Sequence, residues 1–150
     1  VGVGGEVGIC AGAVMGLLFE LRKSTKDADG VVPPAREMRK AIRAVGERHG
    51  ISRDWLNDAA KGFFYADPPR VPAFELSHLR VWAPRADYML AMKCVSARFD
   101  GHDREDARFL IRHLSLKSPG EVFGLIERYY PHRRVPAKTQ FFVEEIFETR

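Results

Sequence analysis

The chain has 150 residues, 45% of them apolar and 29% charged, the balance of a globular protein with a core rather than of a disordered or fibrous one. Its 24 Lys and Arg against 20 Asp and Glu leave a formal net charge of +4, compatible with a phosphate-bearing partner but too small to point to a DNA-binding protein. Two cysteines in apolar surroundings, Cys10 and Cys94, argue against a disulfide framework or a structural zinc site and read as reduced core thiols of a cytoplasmic protein.

No apolar run approaches the ~20 residues of a membrane span, so no membrane partner is expected. The apolar start has no basic segment ahead of it and soon runs into "FELRKSTKDAD", unlike a secretory signal. "EVGIC" (6–10) predicts a strand, and "GAVMGLLFEL" (12–21) an apolar helix that opens at a glycine. "DADGVV" (27–32) predicts a second strand, closed by Pro33 and Pro34. Residues 36–49 place Met38, Ala41, Ile42 and Val45 on one face and stop at Gly50, the pattern of an amphipathic helix. "ISRDWLNDAAKGFF" (51–64) predicts a shorter helix, and "PAFEL" with "LRVWAP" a hairpin turning at Ser77 and His78.

Beyond Pro84 the pattern is helical. Residues 86–97 are apolar nearly all round except for Lys93, which predicts a helix in the core. Ala107, Leu110, Ile111 and Leu114 have helical spacing, and Ser118-Pro119-Gly120-Glu121 forms a capping box ahead of another helix. Pro136 opens a last helix with Phe142, Val143, Ile146 and Phe147 inward. The sum is an α+β chain read as one compact domain: a small α/β half over residues 1–84 and a helical half over 85–150 packed on it.

Asp27 and Asp29 stand two residues apart at the start of the second strand, where alternation turns both side chains to one face. Two carboxylates so close raise the pKa of one of them, and a hard divalent cation such as Mg²⁺ removes the repulsion. A strand-end turn with two solvated aspartates gives the same pattern, and the upstream residues weigh between the two. "CAGAVMGLLFELRKSTKDADGV" is a strand, a glycine, a helix and a strand carrying Asp-hydrophobic-Asp. This resembles the signature of the nucleotidyltransferase superfamily, with Ala11 departing from the glycine usual at that place and Gly12 keeping the second one. "SRDWLNDAAKGFF", "LRVWAPRADYMLAMKCVSARFD", "DREDARFLIRHL" and "ERYYP" extend the resemblance over nearly the whole chain. They look like a prokaryotic branch related to abortive-infection and toxin-type nucleotidyltransferases.

The resemblance implies a small mixed sheet with helices on it and Mg²⁺-dependent transfer of a nucleotidyl group from an NTP. The acceptor it implies is tRNA or protein, with an antitoxin as a further partner. Asp27 and Asp29 would hold the metal. Gly12 would let the backbone approach the triphosphate, with Ser24, Thr25 and Lys26 beside the pair. Arg22 and Lys23 meet phosphate or form a solvated loop. Glu75 is the candidate third carboxylate, although alternation with Phe74 and Leu76 also fits a solvent face. Asn57 and Asp58, with Lys61, would lie within one helical turn facing the cleft, or form a surface cluster. Lys93 is the candidate triphosphate lysine, since a buried ammonium needs an anion; Asp106 is its companion aspartate, with Asp103 as the other candidate. The five histidines show no metal-ligand spacing. The competing expectation is a catalytically degenerate nucleotide-binding or interaction module. The aromatic stretch "YYPHRRVPAKTQFFVEEIF" adds homo-oligomerisation as an expectation.

Overall fold

The computed structural model describes residues 4–20, 28–32, 35–58, 61–62, 64–97 and 101–149. The architecture is α+β and separates into two compact units, residues 1–62 with 70–84 and residues 63–69 with 85–150. The segment 63–69 therefore belongs with the helical unit.

The first unit is built on a five-stranded mixed sheet in the order β3-β2-β1-β5-β4. Its strands are β1 (Gly5–Cys10), β2 (Ala28–Val31), β3 (Leu56–Asn57), β4 (Arg70–Leu76) and β5 (Leu79–Pro84). β1 lies antiparallel to β2 and parallel to β5; β3 joins β2 in parallel, and β4 closes the far edge as a hairpin with β5. Val7 to Cys10 of β1 are all buried, as in a strand covered on both faces. Gly8 is paired with Trp82, and a Cβ on Gly8 would run into Cζ2 and Cε2 of the indole. The missing side chain thus makes the room the tryptophan fills.

Helix α1 (Ala11–Leu17) leaves directly from the end of β1 and buries Ala13, Val14 and Met15. It is shorter than the expected 12–21. Leu17 and Leu18 are 58% and 37% exposed, so the apolar run outlasts the face that meets the core, and Glu20 takes a left-handed φ of 52°. Helix α2 (Ala35–His49) buries Ile42 and Gly46, with the Met38 thioether over Gly5. It ends at Gly50, whose φ of +65° lets the Ile51 N–H reach the Gly46 carbonyl at 3.0 Å, the closing bond of a Schellman turn.

Among the described residues of 51–64 the expected α-helix is not formed. Its residues instead supply β3, and three contacts explain why. The Trp55 indole N–H donates to the Ile42 carbonyl at 3.0 Å, the Ala28 N–H donates to the Trp55 carbonyl at 2.7 Å, and Leu56 packs toward Gly30. A pairing with a strand far back in sequence overrides the local helical spacing.

The second unit is helical: α3 (Ala86–Ser96), α4 (Asp103–His113), α5 (Pro119–Tyr129), a 3₁₀ turn at His132–Arg134, and α6 (Ala137–Glu148). α3 is buried from Tyr88 to Val95 and packs against α4, α5 and α6. Ala107, Leu110 and Ile111, Val122 and Ile126, and Phe142, Val143 and Ile146 close around it. Ser118 and Glu121 form the expected capping box at the start of α5. The last carbonyls of α3 are satisfied from α6: Thr139 Oγ1 donates to Cys94 at 3.0 Å and Lys138 Nζ to Ala97 at 2.8 Å.

Candidate functional site

The β1–α1–β2 corner carries the residues on which the metal reading rests. β1 stops at Cys10, α1 begins at Ala11, and Gly12 falls in the first turn of the helix. Cys10 is the register partner of Asp29, and the Cys10 thiol donates to the Asp29 carbonyl at 3.3 Å. On its other side Asp29 is paired with Asn57 of β3. Paired residues in a sheet share a face, so Cys10, Asp29 and Asn57 stand in a row across three strands. Asp29 and Asn57 are both half-buried. The row offers a carboxylate and an amide oxygen, the hard donor type that Mg²⁺ takes, so the residues in view fit that cation. Asp27, Ser24, Thr25 and Lys26 lie outside the described residues, as do Arg22 and Lys23.

Strand pairing, and not a shared helical turn, brings Asn57 to this row. Its Nδ2 donates to the Asp54 carbonyl at 3.4 Å. Asp58, the residue after the strand, is exposed, and its carbonyl accepts from the Lys61 N–H at 3.0 Å. The expected grouping of Asn57, Asp58 and Lys61 on one helical turn is therefore corrected: only Asn57 reaches Asp29.

Glu75 is not brought to Asp29. It lies on the outer strand β4, paired with Arg80, and its side chain is 75% exposed with Arg80 Nε 3.6 Å away. β1 and β5 stand between β2 and β4, a lateral separation of about 14 Å at the usual strand spacing. One cation cannot bridge that gap. Two cavities of about 570 and 460 Å³ open on the Glu75 side of the sheet and share Glu6 and Arg80. Over the larger one Arg70 stacks 4.1 Å from the Trp82 ring and meets Glu6 Oε1 at 2.6 Å.

In the helical unit Lys93 finds the anion its burial demands. Its Nζ lies 2.7 Å from Asp106 Oδ2 and 2.9 Å from Asp103 Oδ1, both from the first turn of α4. Two carboxylates against one ammonium leave a net negative charge, which the positive end of the α4 dipole offsets in part. The residue ahead of α4 is His102, and Asp103 is spent on Lys93. Asp106 has no exposed surface, so it offers nothing to a nucleotide in this arrangement and serves as a core anchor.

A second charged group escaped the sequence reading. Arg85 grips Asp87 at 3.0 and 2.7 Å, Tyr129 Oη donates to Asp87 Oδ2 at 2.6 Å, and the Tyr88 N–H donates at 2.8 Å. Desolvation alone would raise the Asp87 pKa. The hydrogen bonds from Arg85, Tyr129 and Tyr88 outweigh it and hold the carboxyl at about 2. Burial and the bond to Asp87 push the Tyr129 hydroxyl up. This group ties the start of α3 to the end of α5. The only sequence signal for it was an acidic residue in a first helical turn, which does not reveal a partner 42 positions away. Burial likewise pushes the Cys94 thiol up to about 12, as befits an inert core cysteine.

Among the described residues no cluster of three or more His, Cys, Asp or Glu is placed to hold a metal, and no helix is long and apolar enough to cross a membrane. Compared with known proteins, the chain matches no family model, no curated protein and no solved structure.

Proposed function

We propose that this chain is a Mg²⁺-dependent nucleotidyltransferase that moves a nucleotidyl group from an NTP to a tRNA or protein acceptor. One observation carries the reading: the register partnership of Cys10 and Asp29, which sets an aspartate beside the corner where β1 turns into α1. That placement supports the strand–helix–strand reading which the resemblance implies. In the proposal Asp29 and Asp27 would hold the cation, Gly12 would let the backbone at the start of α1 approach the triphosphate, and Asn57 would orient the Asp29 carboxylate. Bound Mg²⁺ would supply charge neutralisation at the phosphates and the leaving group. An acceptor hydroxyl gives its proton to water and forms the new bond to the α-phosphorus, the bond to the bridging oxygen breaks, and pyrophosphate leaves with that electron pair. Lys93 has its counter-charge in Asp103 and Asp106, and we assign it to holding α3 on α4.

The place of Glu75 favours a second reading, a nucleotide-binding or interaction module whose site has lost its third carboxylate. Label transfer separates the two. With NTPs labelled at the α-phosphate, Mg²⁺ and a cell lysate, the transferase reading expects label on a macromolecule, lost in Asp29→Asn. Binding of nucleotide without any transfer supports the module.

A further inference from the structure

β4 is an edge strand, and among the described residues it has a strand partner on one side only, β5. Its exposed residues sort by face. Arg70 and Glu75 pair with Pro84 and Arg80, on the face of Trp82; Val71, Phe74 and Leu76 pair with Ala83, Val81 and Leu79, on the other. Val71, Phe74 and Leu76 are 40%, 49% and 62% exposed, an apolar stripe on a strand whose backbone is open along one edge.

We propose that this edge pairs with the same edge of a second copy of the chain. An antiparallel pair requires opposed residues to share a face. Centred between Pro72 and Ala73, the strand "RVPAFEL" meets that requirement with itself. Arg70 falls opposite Glu75 of the second copy, and Val71 opposite its Phe74, each pair twice by symmetry. Arg70 already meets Glu6, and Glu75 already meets Arg80. The join therefore runs Glu6, Arg70, then Glu75 and Arg80 of the second copy, alternating in sign, while the apolar residues cover each other on the opposite face. The contact is isologous and closes at two copies. Pro72 offers no N–H, and the bulge between Pro72 and Phe74 breaks the middle of the ladder. Two short edges cover less than the roughly 800 Å² per partner of a standard interface. The dimer is accordingly weak, with a Kd on the order of micromolar or above.

Sedimentation velocity over about 1 to 200 μM, spanning such a Kd, tests this. The wild type should shift from monomer to dimer with concentration. Arg70→Glu and Glu75→Arg each oppose like charges twice and should weaken the dimer about tenfold or more. An equimolar mixture of the two variants restores both pairs and should recover dimer, which a structural defect in either variant would not do. A wild type monomeric throughout, single variants that dimerise normally, or a mixture of folded variants that stays monomeric overturns the proposal. Should Arg70→Glu fail to fold without its contacts to Glu6 and Trp82, Phe74→Lys on the exposed face replaces it. A dimer that survives Phe74→Lys is equally fatal.

Discussion

Lys93 and Asp106 meet at 2.7 Å inside the helical unit, the lysine side chain 7% exposed and the aspartate side chain not at all. The sequence asked what would compensate a lone lysine on an otherwise apolar helix, and α4 supplies the answer.

Removing that ammonium leaves Asp103 and Asp106 as like charges in a buried place, so Lys93→Met should cost about 3 kcal/mol or more. Adding Asp106→Asn removes the stranded charge and should return a large part of the loss. A double-mutant cycle from denaturant melts measures the coupling. A Lys93→Met protein as stable as wild type would mean that the triad holds nothing.

Asp87 gives a pH signature. Its carboxyl is held at about 2 in the fold against an ordinary value of 3.8. The stabilisation is fully present above pH 4 and is lost as pH falls toward 2. Arg85 is more than half exposed, so solvent screening weakens the pairing. Asp87→Asn should be less stable than wild type at pH 6, and the gap should close between pH 4 and 2. A gap unchanged over that range would count against the assignment.

Gly8 and Trp82 share one space. Gly8→Ala forces the indole aside and should destabilise by about 1 to 3 kcal/mol, the usual range for overpacking. Trp82→Phe on that background vacates the colliding atoms and should recover part of the loss. Additive effects would show that the two positions do not touch.

Residues whose partners are near in sequence were legible. The capping box needs only Ser118 and Glu121, the stop of α2 only Gly50, and the β4–β5 hairpin only Ser77 and His78 between two apolar runs. What was not legible depends on distant partners. "SRDWLND" has helical spacing, and becomes β3 because Ala28 and Ile42 bond Trp55. The insertion of β5 between β1 and β4 is likewise invisible in the alternation of either strand, and it is what separates Glu75 from Asp29. At the candidate site Asp27 lies outside the described residues, and Asn57, the neighbour of Asp29, came from strand pairing that no local pattern announces.

The central claim is that Asp29, with Asp27, binds Mg²⁺ and an NTP at the β1–α1–β2 corner. It is tested most directly by thermal melting of wild type and Asp29→Asn with Mg²⁺ and each of ATP, GTP, CTP and UTP. At a nucleotide concentration a hundredfold above Kd, binding should stabilise the wild type by about 2.7 kcal/mol. Asp29→Asn should melt no lower than wild type without ligand and should not respond to Mg²⁺-NTP. A wild type that no nucleotide shifts, or an Asp29→Asn protein that shifts as wild type does, contradicts the account.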